Sequence, residues 1–159
     1  MSANPRIIGF LSGQSPDSEG RYLSEIQKWS DPRLESAHDF IQWMFPLLEP
    51  SRVNQDAPVL DRETIAEIRS RPELLDAVRA SFRCMESFYE RSQHWVTPAN
   101  HNHLRITRIL TCLALLGLKT EAVEFFTFLE RVYKQEQRRT PPGITRRSFD
   151  FWKRAVHAS

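Results

Sequence analysis

The chain has 159 residues, of which 40% are hydrophobic and 26% are charged, and its formal net charge is +2. These values are those of an ordinary soluble protein, and the length is sufficient for one compact domain with a real core. Five glycines in this length argue against a turn-rich all-β fold, and the ten prolines fall mostly between the periodic segments.

The amino terminus shows no secretory signal, because no apolar segment follows a basic one there. The longest nearly apolar run, Ile109 to Leu118, is too short to span a bilayer and favours a buried helix. Cys84 and Cys112 lie inside helical patterns without CxxC spacing, which indicates reduced core residues. We therefore expect a cytoplasmic protein.

The first part of the chain predicts short elements. Residues 6–14 form an apolar stretch that is either extended or a short helix. The next helix places Tyr22, Ile26 and Trp29 on one face. A further helix is predicted over residues 32–45, ending near a proline that opens a long loop.

Capping residues mark the helices that follow. Asp61 is predicted to cap a short helix, and Ser70 to open a long one through a capping box with Glu73. Thr120 is predicted to cap a later helix. A basic helix over residues 144–158 completes the pattern.

Helix 99–116 is apolar nearly all round from Ile109 onward, which is typical of the central helix of a bundle. No strand alternation, internal repeat or second domain is visible. The prediction is an all-α fold over residues 1–159, a single-domain bundle of about seven helices around this central buried helix.

Polar side chains interrupt the apolar pattern of helix 32–45. His38 lies on the apolar stripe, Gln42 follows one turn later, and Asp39 and Trp43 form an i, i+4 pair on a neighbouring face. Because buried polar groups need partners, these residues indicate more than simple packing.

A second polar stripe lies in helix 99–116, where His101, Arg105, Arg108 and Cys112 share one face. An arginine keeps its charge in a protein, so a buried one needs carboxylates or a bound anion. The start of the same helix adds free N–H groups and a partial positive charge.

The two stripes have two interpretations. One is an internal Asp–Arg–His network that locks two helices together, with Asp39 near Arg105; structural networks commonly cause such patterns. The other is a cleft that binds an anionic group, a carboxylate or a phosphate. The candidate ligand-binding residues are His38, Asp39, Gln42, Trp43, Asn54, His101, Asn102, Arg105 and Arg108.

Other chemistries have weaker support. His101 and His103 point to different faces of a helix, so the pair does not favour a metal site. The sequence has no Gly-x-Ser-x-Gly elbow, phosphate loop or dinucleotide fingerprint. We expect no catalytic nucleophile, no metal and no cofactor, and keep as an alternative an enzyme that uses His38 or His101 as acid or base.

The carboxyl-terminal end is basic, since residues 134–159 hold seven basic and two acidic side chains. Such an end is able to contact nucleic acid or an acidic partner. We favour a solvated helix end, because Phe149, Phe151 and Trp152 suit core anchors better than stacking platforms. Weak nucleic-acid binding stays an alternative.

Several segments carry a resemblance to a known family, among them His38-Asp39-Phe40-Ile41-Gln42-Trp43, Phe82-x-x-Met85-x-x-Phe88-Tyr89 and His101-Asn102-His103-Leu104-Arg105-Ile106. In this order they resemble the conserved N-terminal region of the opioid growth factor receptor family, over about residues 7–135. The animal members bind the pentapeptide enkephalin, restrain cell growth and carry long additional C-terminal regions. The short form here is similar to bacterial stand-alone members.

The leading hypothesis is a non-enzymatic binding module for a small anionic or peptide ligand, or for a protein partner. Its site is expected in a cleft between helix 32–45, the loop 46–60 and the start of helix 99–116.

Overall fold

The computed structural model describes residues 2–159. These residues form nine α-helices and no strand, which confirms the all-α prediction. The helices are α1 (Pro5–Leu11), α2 (Leu23–Ile26), α3 (Asp31–Ser36), α4 (Ile41–Met44), α5 (Arg62–Ser70), α6 (Pro72–Arg91), α7 (His101–Leu115), α8 (Lys119–Glu136) and α9 (Arg146–Ala155).

The chain divides into two compact units, one up to Cys84 and one from Met85 onward, with the boundary inside α6. No helix within residues 2–159 has both the length and the apolar character needed to cross a membrane.

In the first unit, α1 packs against α4 and α5. Asn4 caps α1 through its side chain, and its backbone N–H donates a 2.8 Å hydrogen bond to the hydroxyl of Thr64 on α5. The Gln27 amide, just after α2, donates a 3.0 Å bond to Ser81 on α6. The unit therefore combines an apolar core, which includes the fully buried Phe10, with specific bonds between its short helices.

The predicted helix over residues 32–45 is wrong in one respect, because it is broken into α3 and α4. Ala37 has a β-region conformation with ψ of 134°, and residues 37–40 are not helical. Every residue from Phe40 to Pro46 is buried. A straight amphipathic helix buries one stripe only, so burial of the whole run favours a change of chain direction before it.

The junction of α5 and α6 differs from the predicted capping box. Asp61 caps α5 as expected, accepting a hydrogen bond from the backbone N–H of Thr64. Ser70, however, is the last residue of α5, and its hydroxyl donates to the carbonyl of Glu67 instead of capping α6. Arg71 lies between the two helices.

In the second unit, α7 packs against both α8 and α9, which agrees with its predicted central place. The side chain of Asn100 caps α7, and Gly117, with a φ of 80°, follows its end. The residue capping α8 is Leu118, so Thr120 lies inside the helix and the predicted cap is wrong. Thr145 caps α9.

Candidate ligand-binding groove

An open groove of about 500 Å³ lies in the first unit and brings together three of the predicted site residues, His38, Asp39 and Asn54. We call it the polar groove. Its lining residues are Glu19, Arg21, Arg33, Ser36, Ala37, His38, Asp39, Val53 and Asn54. The lining is mostly polar and carries both signs of charge.

Arg21 is held in the groove by two carboxylates. One of its terminal nitrogens, Nη2, lies 2.7 Å from Asp17 and 2.9 Å from Asp39. Burial opposes the charge of Arg21, but the close contacts and Coulomb attraction of both carboxylates outweigh it and raise the pKa of the guanidinium. Arg21 therefore stays charged and is fixed in orientation.

Asp17 has a buried carboxylate, although it lies in a turn. Its Oδ1 accepts 2.9 Å hydrogen bonds from the backbone N–H groups of Glu19 and Arg21, and its Oδ2 accepts a 2.8 Å bond from Nε of Arg21. The buried carboxylate of Asp17 thus holds both the backbone of the turn 17–21 and the side chain of Arg21 in place.

Arg33 is the second cation of the groove, and its setting is different. Its guanidinium lies 4.2 Å from the ring centroid of Trp29, while that of Arg21 lies 5.1 Å from the same ring. Trp29 is braced in turn by Phe40, with ring centroids 5.3 Å apart. No carboxylate within residues 2–159 pairs with Arg33, so the charge is oriented by the ring and not neutralised.

The break between α3 and α4 places His38 and Asp39 on the groove wall. His38 is exposed, and the side chain of Asp39 is 44% exposed. The Asn54 amide donates a 3.0 Å hydrogen bond to the backbone carbonyl of Asp39, which brings the loop after α4 to the same wall.

Gln42 and Trp43 do not line the groove. Both are buried: the Gln42 amide nitrogen donates a 3.3 Å bond to the His38 carbonyl, and the Trp43 ring packs 5.3 Å from Phe10, with Arg6 4.9 Å from its centroid. Within residues 2–159 the Oε1 atom of Gln42 is buried without a hydrogen-bond partner. The helix break explains this outcome, because Gln42 and Trp43 belong to the run from Phe40 to Pro46 that is buried after the break, whereas His38 lies before it and is exposed.

The remaining predicted residues lie on α7 in the second unit. Asn102 is fully buried; its Oδ1 accepts a 2.9 Å bond from the Tyr89 hydroxyl and its amide donates 3.0 Å to Asn100. His101 is exposed at the first position of α7. Asn102 thus supports the start of the helix.

His103, which was not among the predicted site residues, is the centre of a buried network. Its Nε2 lies 2.8 Å from the carbonyl of Trp95 and its Nδ1 lies 3.0 Å from the hydroxyl of Ser148. Trp152 donates from its indole N–H to the His103 carbonyl at 3.1 Å. Burial, more than any other cause, lowers the pKa of His103. A neutral ring that donates from Nε2 and accepts at Nδ1 satisfies all of these contacts.

Arg105 is buried and Arg108 is half-buried on α7, as the stripe predicted. Burial lowers the pKa of Arg108. Burial also raises the pKa of the Cys112 thiol to about 12, against the weaker opposing attraction of Arg108. Cys112 is therefore a structural residue.

Asp39 and Arg105 belong to different units, and the expectation that their side chains lie close together stays a prediction.

Sequence reasoning missed Arg21 and Arg33 as lining residues of the groove, and it missed Asp17 and Trp29 as the residues that orient them. A signal existed for one of them, since Trp29 is a large aromatic residue at the end of a helical stripe and is close in sequence to Lys28 and Arg33.

Within residues 2–159, no three His, Cys, Asp or Glu side chains come close enough to hold one metal ion.

These features define a class of protein: an all-helical domain with a charged, open groove. A sequence profile described as the opioid growth factor receptor (OGFr) conserved region matches residues 14–95 and 86–159. The chain belongs to the opioid growth factor receptor family.

Known relatives agree with this assignment. The chain is 32% identical to the human opioid growth factor receptor over 86% of this chain and 23% of the human protein. It is 28% identical to the mouse opioid growth factor receptor-like protein 1 over 84% of this chain and 32% of that protein. The chain thus spans about a quarter to a third of the length of these relatives. No solved structure matches it significantly.

Proposed function

We propose that this domain is a non-enzymatic binding module, and that the polar groove holds an anionic group of a small ligand or a short peptide. The observation that carries the proposal is Arg33, a cation that is oriented by Trp29 and has no carboxylate partner among residues 2–159. A carboxylate or phosphate would supply the missing partner through charge-assisted hydrogen bonds.

The other charges of the groove favour a peptide over a simple anion. Glu19 and Asp39 line the same space as Arg33, so the groove offers an acidic side as well as a basic one. A short peptide with free termini carries an ammonium group and a carboxylate and complements both. The human and mouse relatives are named opioid growth factor receptor, and the family resemblance implies that such a ligand is a peptide.

The geometry gives less support to acid–base catalysis. A catalytic His–Asp pair needs the carboxylate to orient the imidazole. In the groove, the carboxylate of Asp39 pairs with Arg21 at 2.9 Å. Because one oxygen of the Asp39 carboxylate is engaged by Arg21, the groove gives less support to an Asp39–His38 pair than to an anion-binding role.

The test is calorimetric titration of the protein with the pentapeptide enkephalin, with its C-terminal amide and with inorganic phosphate. We expect the free peptide to bind more tightly than the amide, because only the former offers a carboxylate to Arg33. Arg33→Gln should weaken binding at least about tenfold, the loss of one hydrogen-bonded charge contact. Arg62→Gln on α5, an exposed site outside the groove, is the matched control.

Two results would overturn the proposal. One is no heat of binding for any of these ligands at millimolar concentration. The other is a binding constant that Arg33→Gln leaves unchanged.

We propose separately that Arg105 and Arg108, both on α7 in the second unit, hold an anionic group of the ligand. Arg105→Ala should then abolish the thermal stabilisation that the peptide produces, while the circular dichroism spectrum stays helical. Because Arg105 is buried, unfolding of this variant would instead support the internal network and remove Arg105 from the ligand-binding set.

A further inference from the structure

The outer face of α9 carries an exposed aromatic ring between two arginines. Phe151 is 40% exposed, and the guanidinium carbons of Arg147 and Arg154 lie 5.9 Å and 4.8 Å from its ring centroid. The spacing i−4 and i+3 places all three side chains on one face of the helix. We call this set the α9 platform.

Phe151 differs from the other two aromatic residues of α9, which point inward. Phe149 stacks on Tyr133 with ring centroids 4.0 Å apart, and Trp152 is fully buried and bonded to the His103 carbonyl. The expectation that all three aromatics are core anchors is therefore wrong for Phe151. Its exposure is a feature of the surface that the core does not require.

The cations around this ring have few internal partners. Within residues 2–159, no carboxylate forms an ion pair with Arg147, Lys153 or Arg154. Arg146 pairs with Asp150 only at 3.8 Å. The face therefore keeps most of its positive charge for an external partner.

A shallow depression of about 440 Å³ continues the platform toward the end of α9. Its lining residues are Asp150, Lys153, Arg154 and His157. The ammonium of Lys119 reaches the carbonyl of Ala158 at 3.3 Å and adds a further cation at this end. Charge thus extends along the helix on the side where Arg154 meets Phe151.

We propose that the α9 platform binds single-stranded nucleic acid. The phosphates would lie against Arg147, Lys153 and Arg154, and a base would stack on Phe151 or on one of the guanidinium planes beside it. Single-strand binding surfaces combine these two elements, a basic track and an aromatic ring that accepts any base.

Two other partners fit the platform less well. A membrane-binding helix needs an apolar face of several large residues, and α9 exposes one such side chain, Phe151. An acidic peptide would use the cations and leave the ring without a role. Single-stranded nucleic acid uses both.

The first test is fluorescence anisotropy with a labelled single-stranded oligonucleotide of about ten nucleotides at about 50 mM salt. We expect Phe151→Ala to weaken binding about tenfold through the loss of stacking. Phe151→Trp should restore or improve it. Leu104→Ala, which removes a 72% exposed apolar side chain from α7, is the matched control and should bind like the wild type.

The second test is the salt dependence of the same binding constant. For single strands, each neutralised phosphate contributes about 0.7 to the slope of log K against log salt. The double variant Arg147→Gln, Arg154→Gln should lower this slope by about 1.4. Arg62→Gln with Arg69→Gln changes the net charge equally on α5 in the first unit and should leave the slope near the wild-type value.

Four results would overturn the proposal. Two concern the oligonucleotide: no binding at low salt, or an equal fall of the salt slope in both double variants. The others are tighter binding of duplex than of single strand with an affinity that Phe151→Ala leaves unchanged, and binding to anionic phosphatidylserine vesicles without binding to the oligonucleotide. Circular dichroism of each variant, with an unchanged helical spectrum, keeps folding separate from binding. The platform does not use the polar groove, so failure of either proposal leaves the other intact.

Discussion

The side-chain amide of Asn54 donates a 3.0 Å hydrogen bond to the backbone carbonyl of Asp39, fifteen residues earlier in the chain. The loop around Asn54 is itself ordered by Ser51, whose hydroxyl accepts bonds from the N–H groups of Val53 and Asn54 at 3.2 Å and 3.0 Å. This bond fastens the loop after α4 to the break between α3 and α4. The wall of the polar groove therefore depends on one side-chain amide.

Asn54→Ala is expected to lower the free energy of unfolding by about 1 kcal/mol, because it removes one partly buried hydrogen bond. Ligand binding in the polar groove should weaken as well, since the loop loses its attachment. Urea unfolding followed by circular dichroism measures the first effect. Gln55→Ala, at the exposed neighbouring position, should change stability by less than about 0.5 kcal/mol; equal effects of the two variants would contradict this role.

Asp17 and Asp39 hold the same guanidinium but should differ in their effect on stability. The Asp17 side chain is fully buried and also accepts two backbone hydrogen bonds, whereas the Asp39 side chain is 44% exposed. We expect Asp17→Asn to lower the free energy of unfolding by about 2–3 kcal/mol and Asp39→Asn by less than about 1 kcal/mol. Guanidinium chloride unfolding of both variants tests this order. A larger loss for Asp39→Asn would contradict it.

Helical periodicity predicted the long helices α6, α7 and α8, but the predicted start signals of α6 and α8 were wrong, since Ser70 and Thr120 do not cap them. Local signals are clear at α7 and α9. Asn100 caps α7, Gly117 follows its end, and Thr145 caps α9. These signals act over a few residues and need no knowledge of the rest of the fold. The break between α3 and α4 has no such signal, because no Gly or Pro lies at residues 37–40. The position of this break is therefore determined by the packing of the buried run that begins at Phe40, and not by local helix propensity.

The candidate site was predictable only in part for the same reason. Helical spacing brought His38 and Asp39 to attention, but it also grouped Gln42 and Trp43 with them, and the break buries these two. Arg21 enters the groove through a turn held by Asp17. A turn of this kind is held by side-chain contacts, and helical periodicity in the sequence gives no sign of them.

Cys112 is expected to resist thiol reagents in the folded protein. Burial raises the pKa of its thiol to about 12, so at pH 8 only about one molecule in ten thousand carries the reactive thiolate. In a Cys84→Ser variant, iodoacetamide labelling of Cys112, followed by mass spectrometry, should be slow in buffer and fast in urea. Rapid labelling without denaturant would show that the α7 interior opens to solvent.

His103 is expected to make stability depend on pH in a defined window. Its folded pKa lies below the ordinary value of 6.5, chiefly because the ring is buried. As pH falls below about 6.5, the unfolded chain binds a proton that the folded protein does not. Folded stability is thus fully present above this pH and is lost as pH falls toward the folded pKa, by at most about 1.4 kcal/mol per pH unit for one proton.

His103→Gln separates this contribution from that of the carboxylates, whose titration is common to both proteins. The variant should be less stable at pH 7, because the contacts to Trp95 and Ser148 are altered. The stability difference between variant and wild type should then shrink between pH 6.5 and pH 5, since only the wild type still loses stability through this histidine. His157→Gln, at an exposed position, serves as control and should keep the wild-type pH dependence. If the difference stays constant across this range, the ring of His103 does not remain neutral in the folded protein and its donor and acceptor roles must be reassigned.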